Sequence, residues 1–188
     1  GHGRGDRSGT HIGLGSGMST DTLLAFPGIE RVDTSEIEPG MVEGARLLGS
    51  KVARAFDDPR STIHIADAKT FFTRHQRAFD LIISEPSNPW VSGVAGLFSV
   101  EFYRRVREHL SADGLFAQWF NVYHADMSLV ASIAGALQSV FPEYRVYATS
   151  SGDVLFVAGM RELPEASFDA IAGTAMEESL RRVGIRGS

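Results

Sequence analysis

Short runs rich in β-branched and aromatic residues alternate with longer amphipathic runs from residue 10 to about residue 159. The short runs have the length and residue types of strands, and the longer runs repeat their apolar positions with helical spacing. No internal repeat and no long linker interrupt the alternation. Such a pattern predicts an α/β fold with a mostly parallel sheet and helices on both faces.

The pattern predicts a seven-stranded sheet and six helices. The strands are expected at residues 10–14, 31–37, 62–66, 79–83, 115–122, 144–149 and 153–158. The helices are expected at residues 19–26, 40–48, 68–75, 99–110, 126–141 and 166–183. A polar stretch without a predicted helix follows residue 48, and residues 113–114 are expected to turn into the fifth strand. Because residues 150–152 have the spacing of a hairpin, the sheet is expected to end with a C-terminal antiparallel strand.

The composition excludes several classes of function. The chain has 188 residues with 18 Lys and Arg against 23 Asp and Glu, so its net charge is −5. A nucleic-acid partner is not expected, because neutralising phosphates requires clustered cations. A membrane span needs about 20 consecutive apolar residues, and no window approaches that length. The chain has no Cys and its His residues lack metal-ligand spacing, so neither a disulfide nor a metal site is expected.

A glycine-rich loop follows the first predicted strand and opens the first helix. Its glycines are Gly13, Gly15 and Gly17, with Ser16 between the last two. Glycines let the backbone approach a ligand closely, and a helix N-terminus attracts negative charge. The loop has a GxGxG pattern and no following Lys, so it is not a P-loop. A tight structural turn remains the alternative interpretation.

Two acidic residues follow the next two predicted strands. Glu36 lies at the end of the second strand, 19 residues after Gly17, where a carboxylate can accept hydrogen bonds from ribose hydroxyls. Asp67 ends the third strand and precedes the small Ala68. Together with the glycine loop, these acids predict a nucleoside-binding site at the carboxyl edge of a parallel sheet. Solvated loop acids are the alternative.

The fourth predicted strand leads into a proline-rich segment that contains candidate catalytic residues. Glu85 and Asn88 each precede a proline, which favours extended backbone at both positions. A carboxylate at Glu85 could orient or deprotonate an amine nucleophile, or offset the charge of a sulfonium. Trp90 could form a wall of the substrate site or attract a cation over its ring. Packing of Trp90 against its own loop is the alternative.

Candidate substrate-binding residues also follow the fifth predicted strand. Gln118 and Trp119 are expected at the same edge of the sheet, with Tyr123 shortly after them. His124 is a candidate general base, although a lone His is more often structural or solvated.

These residues, taken in chain order, resemble spermidine synthase and its relatives, the aminopropyltransferases, which share the Rossmann-like fold of S-adenosylmethionine-dependent methyltransferases. The similar segments are GLGSG at 13–17, SEIEP at 35–39, ADA at 66–68, DLIISEPSNP at 80–89 and GLFSVEFY at 96–103. The resemblance covers residues 10–159. The segment EPSNPW is most similar to a bacterial branch in which such a domain is fused to a transporter-like membrane region.

The resemblance implies a co-substrate and roles for the residues. Decarboxylated S-adenosylmethionine, or its product methylthioadenosine, would bind the glycine loop. Glu36 would bind the ribose and Asp67 the adenine, with Ile37 and Ala68 beside them. The family carries Asp-Ser-Ser-Asp-Pro after the fourth strand, and its first Asp helps to activate the attacking amine. Glu85 and Asn88 occupy the two Asp positions here, and the loss of one anion is expected to weaken binding of a dication such as putrescine.

The resemblance also implies a domain organisation. We expect residues 1–9 to be a disordered or engineered tail, residues 10–160 a Rossmann-like nucleoside-binding transferase domain, and residues 161–188 a helical extension. The family has a small β-rich region before the glycine loop that contributes to the amine site and the dimer contact, and nine residues precede Thr10 here. A homodimer is therefore left open. The expected location is the cytoplasm, as a free protein or as the cytoplasmic domain of a membrane protein.

The function expected from these observations is transfer of an aminopropyl group from decarboxylated S-adenosylmethionine to a small amine. Two alternatives remain open at this point. One is an S-adenosylmethionine-dependent methyltransferase, and the other is a nucleoside-binding regulatory domain without catalysis.

Overall fold

The structure is a computed structural model that describes residues 7–87, 93–121, 127–148, 152–165 and 172–182. The chain divides into two compact units: unit 1 is Gly1–Phe71 with Pro164–Ser188, and unit 2 is Phe72–Leu163. Within the described residues, no helix has both the length and the apolar character needed to cross a membrane.

Unit 1 contains three parallel strands and the helices that follow them. The strands are β1 (Ser8–Ile12), β2 (Arg31–Glu36) and β3 (Ser61–Ile65), with β2 paired to both others. The helices are α1 (Met18–Leu24), α2 (Pro39–Arg46), α3 (Ala53–Asp57) and α7 (Ala175–Arg182), and α4 (Ala68–Arg74) contains the division between the units. Pro39 occupies the first turn of α2, where its missing N–H costs nothing. Glu38 caps that helix by accepting a hydrogen bond from the Gly40 amide.

The described part of unit 2 contains the other four strands of the sheet. They are β4 (Phe79–Ser84), β5 (Leu110–Asn121), β6 (Glu143–Ala148) and β7 (Asp153–Gly159). A 3-10 helix (Ala95–Phe98), α5 (Val100–Glu108) and α6 (Met127–Gln138) complete the unit. Strands β4 and β5 are parallel, whereas β7 is antiparallel to both β5 and β6.

The strand order is β3-β2-β1-β4-β5-β7-β6 in a seven-stranded sheet. The predicted mostly parallel α/β sheet with a C-terminal antiparallel strand is therefore confirmed. The reversed strand β7 lies between β5 and β6, so the edge strand next to it is β6 rather than the last strand of the chain.

Aromatic residues form the core of unit 2. Phe116 of β5 stacks on Phe141 with ring centroids 5.8 Å apart, and it contacts Phe102 and Tyr103 of α5 at 6.3 and 5.9 Å. All four side chains are buried. Full burial of one such side chain contributes about 1.5–3 kcal/mol, so this cluster holds α5 against β5.

No helix was predicted in the polar stretch after residue 48, and the structure contains one there. Residues Ala53–Asp57 form α3, whose Ala55 is buried. The helix is held by Asp21 of α1, which accepts hydrogen bonds from the Arg54 amide and the Arg54 guanidinium at 2.8 and 2.9 Å. Five residues are too few to show helical periodicity, and this long-range ion pair has no local signal.

The turn predicted at residues 113–114 is also wrong, because these residues lie inside β5. The pairing with β4 is irregular there: Phe79 pairs with Leu110, whereas Leu81 pairs with Leu115. Strand β5 therefore has more residues than β4 between these two pairs, and it continues through them. A Cβ on Gly114 would lie 2.9 Å from the Phe79 carbonyl oxygen, so this close approach requires glycine.

The remaining predicted elements differ from the structure mainly at their ends. Residues 149–151, in the predicted hairpin, and residues 166–171, in the predicted last helix, lie outside the described residues. Among the described residues that follow, the last helix is α7 (Ala175–Arg182). Its Ser179 hydroxyl lies 3.2 Å from the Arg54 guanidinium, so α7 belongs to the same packing as α1 and α3.

The first prediction concerns the effect of the Gly17 backbone conformation on stability. Gly17 caps α1 with φ 82°, in the left-handed region, where an L-residue costs about 1–2 kcal/mol. Gly17→Ala is therefore expected to lower the free energy of unfolding by about 1 kcal/mol in urea denaturation. Gly44→Ala is the matched control, because Gly44 lies inside α2 with open space around it, and helix propensity favours Ala there by about 1 kcal/mol. Equal shifts for the two variants would contradict the backbone explanation.

Candidate functional site

The glycine loop makes a tight turn between β1 and α1. Gly13, Gly15 and Gly17 all have positive φ, at 91°, 53° and 82°. The Gly13 amide donates to the Ser35 carbonyl, and the Gly17 amide donates to the Leu14 carbonyl, both at 2.9 Å. Gly15 and Ser16 are exposed at the tip of the loop. A turn of this shape exposes backbone to solvent where a ligand could approach it.

Glu36 connects this loop to the turn after β2. The residue is only 8% exposed, and both carboxylate oxygens accept backbone hydrogen bonds. Oε2 accepts from the Leu14 amide at 2.9 Å, and Oε1 accepts from the Glu38 amide at 3.0 Å. A carboxylate offers about four acceptor positions, and the two backbone amides fill two of them.

Two aliphatic side chains are exposed next to Glu36. Ile37 follows it directly and is 70% exposed, and Ile65, the register partner of Glu36 on β3, is 51% exposed. Ile37 was predicted as a cofactor-binding residue, whereas Ile65 was not. The alternation of Ile63 and Ile65 in the sequence was a signal for the strand, but not for an exposed strand end.

Asp67 begins α4 as its N-terminal cap. Its Oδ1 accepts from the Thr70 amide at 2.9 Å, and its Oδ2 accepts from the Thr70 hydroxyl at 2.7 Å. These hydrogen bonds hold the pKa of Asp67 below its usual range, so the exposed carboxyl group stays ionised. Ala68 is buried behind it. The geometry explains Asp67 as a helix cap, and its predicted role at adenine stays a prediction.

The predicted catalytic Glu85 directly follows β4 in unit 2. It is half-buried, and the preceding Ser84 is fully buried. The predicted substrate-binding residues Asn88, Trp90 and Tyr123, and the candidate base His124, lie outside the described residues.

Gln118 was predicted to bind substrate, and the structure places it in the interior of unit 2. It is 0% exposed. Its Oε1 accepts a hydrogen bond from the Tyr103 hydroxyl at 2.7 Å, and its Nε2 donates to the Leu97 carbonyl at 2.9 Å. The Ser84 hydroxyl lies 3.4 Å from the same nitrogen. Trp119 is half-buried and, as the next residue in the strand, points to the opposite face.

The structure therefore links some of the predicted residues directly. In unit 1 it connects the glycine loop to Glu36 through the Leu14 amide. In unit 2 it connects Gln118 to Ser84, the neighbour of Glu85 in the chain.

A buried polar cluster behind the glycine loop was missed in the sequence. The Thr20 hydroxyl of α1 lies 2.9 Å from His11 Nδ1 and 3.1 Å from the Thr34 hydroxyl. These three residues come from β1, α1 and β2 and are fully buried. Their hydrogen bonds fix the start of α1, and nothing local in the sequence distinguishes them from surface polar residues.

Unit 2 also has a cavity of about 330 Å³ between α4 and α5 that contains none of the predicted site residues. It is lined by both signs of charge, including Arg77, Arg105 and Glu108. This cavity does not contribute to the candidate site.

Comparison with known proteins agrees with the fold and the motifs. The model of the spermine/spermidine synthase domain matches residues 10–151. The polyamine aminopropyltransferase of Moorella thermoacetica is 32% identical over 144 residues, covering 77% of this chain and 50% of that protein. The one from Desulforudis audaxviator is 28% identical over 136 residues, covering 72% and 49%. This chain thus spans about half the length of the curated relatives it matches.

Solved structures show the same fold. A spermidine synthase in complex with the transition-state analogue AdoDATO superimposes with a TM-score of 0.74 at 24% identity, covering 96% of this chain and 61% of that one.

Human methyltransferase-like protein 13 in complex with SAH superimposes with a TM-score of 0.71 at 21% identity, covering 96% of this chain and 84% of that one. The fold is therefore that of methyltransferase-like α/β proteins, and the family match is more specific. The chain belongs to the spermine/spermidine synthase domain family.

The cap of α4 makes the second prediction. Asp67→Ala is expected to lower the free energy of unfolding by about 0.5–2 kcal/mol at pH 7. Because the pKa of Asp67 is lowered in the folded chain, the charge-dependent part is present above the carboxyl pKa of the unfolded chain and is lost as pH falls through the folded pKa. Urea denaturation between pH 7 and about pH 3 measures this.

Asp67→Asn is the matched control, because its amide oxygen can also cap the helix but does not titrate. The difference in unfolding free energy between Asp67→Asn and Asp67→Ala should therefore stay constant over this pH range. A difference between the wild type and Asp67→Ala that did not narrow at low pH would contradict the assignment.

Proposed function

We propose that this chain is the nucleoside-binding part of a polyamine aminopropyltransferase. It would transfer the aminopropyl group of decarboxylated S-adenosylmethionine to a small amine. The observation that carries the proposal is the family match over residues 10–151 together with the Glu36 carboxylate held at the glycine loop. The structural neighbours support the class of co-substrate, because one is in complex with AdoDATO and another is in complex with SAH.

Unit 1 supplies the chemistry that a nucleoside needs. Glu36 keeps acceptor positions for two ribose hydroxyls, and its negative charge is stabilised by two backbone amides. The exposed Ile37 offers apolar surface to a flat ring. Gly15 and Ser16 expose backbone at the start of α1, near the rest of the nucleoside in this proposal.

The reaction is a nucleophilic substitution at the carbon beside a sulfonium. The amine nitrogen uses its lone pair to form the new C–N bond, and the C–S bond breaks with its electron pair going to sulfur. The leaving group is neutral methylthioadenosine, and the proton released from the amine goes to Glu85. Most of the rate enhancement comes from positioning the two reactants, and proton transfer adds a further factor.

The residue at position 88 affects which amine can accept the aminopropyl group. Glu85 and Asn88 replace the two family carboxylates, so a doubly charged amine meets one anion fewer. Because each charge pair contributes to binding, a putrescine dication should be held more weakly than by a site with two carboxylates. A panel of amines of different charge and length therefore defines the acceptor.

A methyltransferase is the second candidate. The observation in its favour is that human methyltransferase-like protein 13 in complex with SAH has the same fold. Calorimetric titration separates the two functions. Tighter binding of S-adenosylmethionine than of its decarboxylated form would favour the methyltransferase.

The role of Glu85 makes the third prediction. With decarboxylated S-adenosylmethionine and the best acceptor of the panel, Glu85→Gln should lower kcat by about 10²–10⁴-fold, the usual contribution of a general base. The dissociation constant of methylthioadenosine should stay within about twofold, because unit 1 is proposed to bind the nucleoside. Glu143→Gln, the same change at an exposed position of β6, is the matched control. Unchanged product formation by Glu85→Gln would contradict the proposed role.

A further inference from the structure

Gln118 lies where two segments of unit 2 meet. One is the end of β4 at Ser84, immediately before Glu85, and the other is the 3-10 helix Ala95–Phe98. The amide nitrogen of Gln118 approaches both segments, at 3.4 Å from the Ser84 hydroxyl and 2.9 Å from the Leu97 carbonyl.

We propose that Gln118 is a positioning residue for Glu85, which holds the end of β4 and the 3-10 helix at a fixed separation, and not a substrate ligand. The inference rests on the proposed function, because it assigns Gln118 a part in the same reaction.

The orientation of the Gln118 amide is determined by its partners. The Leu97 carbonyl can only accept a hydrogen bond, so the amide nitrogen must face it. The amide oxygen then faces the Tyr103 hydroxyl, which donates to it at 2.7 Å. Burial raises the pKa of Tyr103 above its usual range, so this hydroxyl keeps its proton. One side chain thus has a single arrangement that satisfies both its oxygen and its nitrogen.

Because the Gln118 amide is buried, each of its hydrogen bonds is costly to lose. Gln118, Ser84 and Tyr103 are all 0% exposed, so water cannot replace a lost partner at these side chains. Tyr103 belongs to α5 and packs on Phe116, so the network begins from the aromatic core. This network uses both the oxygen and the nitrogen of the Gln118 amide inside the protein, and because the side chain is fully buried, a substrate could reach it only if the packing around it opened.

A second contact from the same strand holds the same 3-10 helix. Phe120 lies two residues after Gln118, on the same face of β5, and contacts Phe98 edge-on with centroids 5.7 Å apart. Ser99, the next residue, caps α5 by accepting from the Phe102 amide, and its hydroxyl donates to the Gly96 carbonyl. The 3-10 helix is therefore a fixed point against which Gln118 holds Ser84 and its neighbour Glu85.

The experiment compares three variants of the full chain. Gln118→Glu keeps an acceptor for Tyr103 but replaces the N–H donor with a carboxylate oxygen that repels the Leu97 carbonyl. Tyr103→Phe removes the hydroxyl alone and covers the case in which a buried carboxylate unfolds the chain. Gln76→Glu is the matched control, because the amide of the exposed Gln76 also donates to a backbone carbonyl, that of Thr73 at 3.2 Å.

Hydrogen–deuterium exchange measures the positioning without any substrate. We expect the backbone amides of Ser84, Glu85, Ser87 and residues 95–98 to exchange at least about tenfold faster in Gln118→Glu, and faster to a smaller extent in Tyr103→Phe, since each lost hydrogen bond lowers the protection of the local structure. Gln76→Glu should leave these rates unchanged. Unchanged exchange in both test variants would overturn the inference.

Kinetics with decarboxylated S-adenosylmethionine and an amine test the catalytic consequence. Gln118→Glu is expected to lower kcat by at least about tenfold while the KM for the amine stays within about threefold. The ratio of variant to wild-type activity should rise as pH is lowered, because protonation of the new carboxyl group at position 118 restores an O–H donor for Leu97. A raised KM with unchanged kcat would identify a substrate ligand and overturn the inference. If the wild-type chain transfers no aminopropyl group, the proposed function fails, and the exchange rates still decide whether Gln118 holds the two segments.

Discussion

The candidate nucleoside site depends on the hydrogen bonds that the Glu36 carboxylate accepts from the backbone. This carboxylate is almost completely buried, and a buried carboxylate persists only where hydrogen bonds compensate its lost hydration. The amides of Leu14 and Glu38 provide that compensation. The same two bonds fix the glycine loop relative to the turn after β2. The acid thus shapes the backbone and keeps acceptor positions for a ligand, and removing its charge would affect both.

In unit 2, a neutral side chain, the amide of Gln118, holds backbone segments in place as the Glu36 carboxylate does in unit 1. Gln118 offers one acceptor and two donors at a fully buried position, and it uses them to connect an aromatic core residue to two backbone segments. An amide suits this fully buried place because a charged group there would lose its hydration. In both units, a buried polar side chain holds main chain in a defined place next to residues that are proposed to contact substrate.

The seven strands, and the mostly parallel sheet with one antiparallel strand near its end, were predicted from the sequence because buried strands and amphipathic helices have strong periodic patterns. The sequence also singled out Glu36 and the glycine loop, since an acid after a strand and closely spaced glycines are local signals; the structure shows the hydrogen bond between them, and their role in binding stays a prediction. It could not identify α3, because that helix is short and is held by Asp21 across 33 positions of the chain. Nor could it separate Gln118, whose amide is used inside the protein, from Trp119, its more exposed neighbour, since only packing determines which face of β5 is covered. The cap role of Asp67 was likewise hidden, because a helix cap and a loop acid look the same in sequence.

The most direct test of the account is the affinity of methylthioadenosine for the chain with and without the Glu36 charge. Isothermal titration should show binding to the wild type and a dissociation constant at least about tenfold larger for Glu36→Gln, equivalent to about 1.4 kcal/mol. Glu38→Gln, whose side-chain oxygen can still cap α2, should bind like the wild type. Equal affinity of the Glu36→Gln variant and the wild type, or no binding of methylthioadenosine by the wild type, would contradict the account.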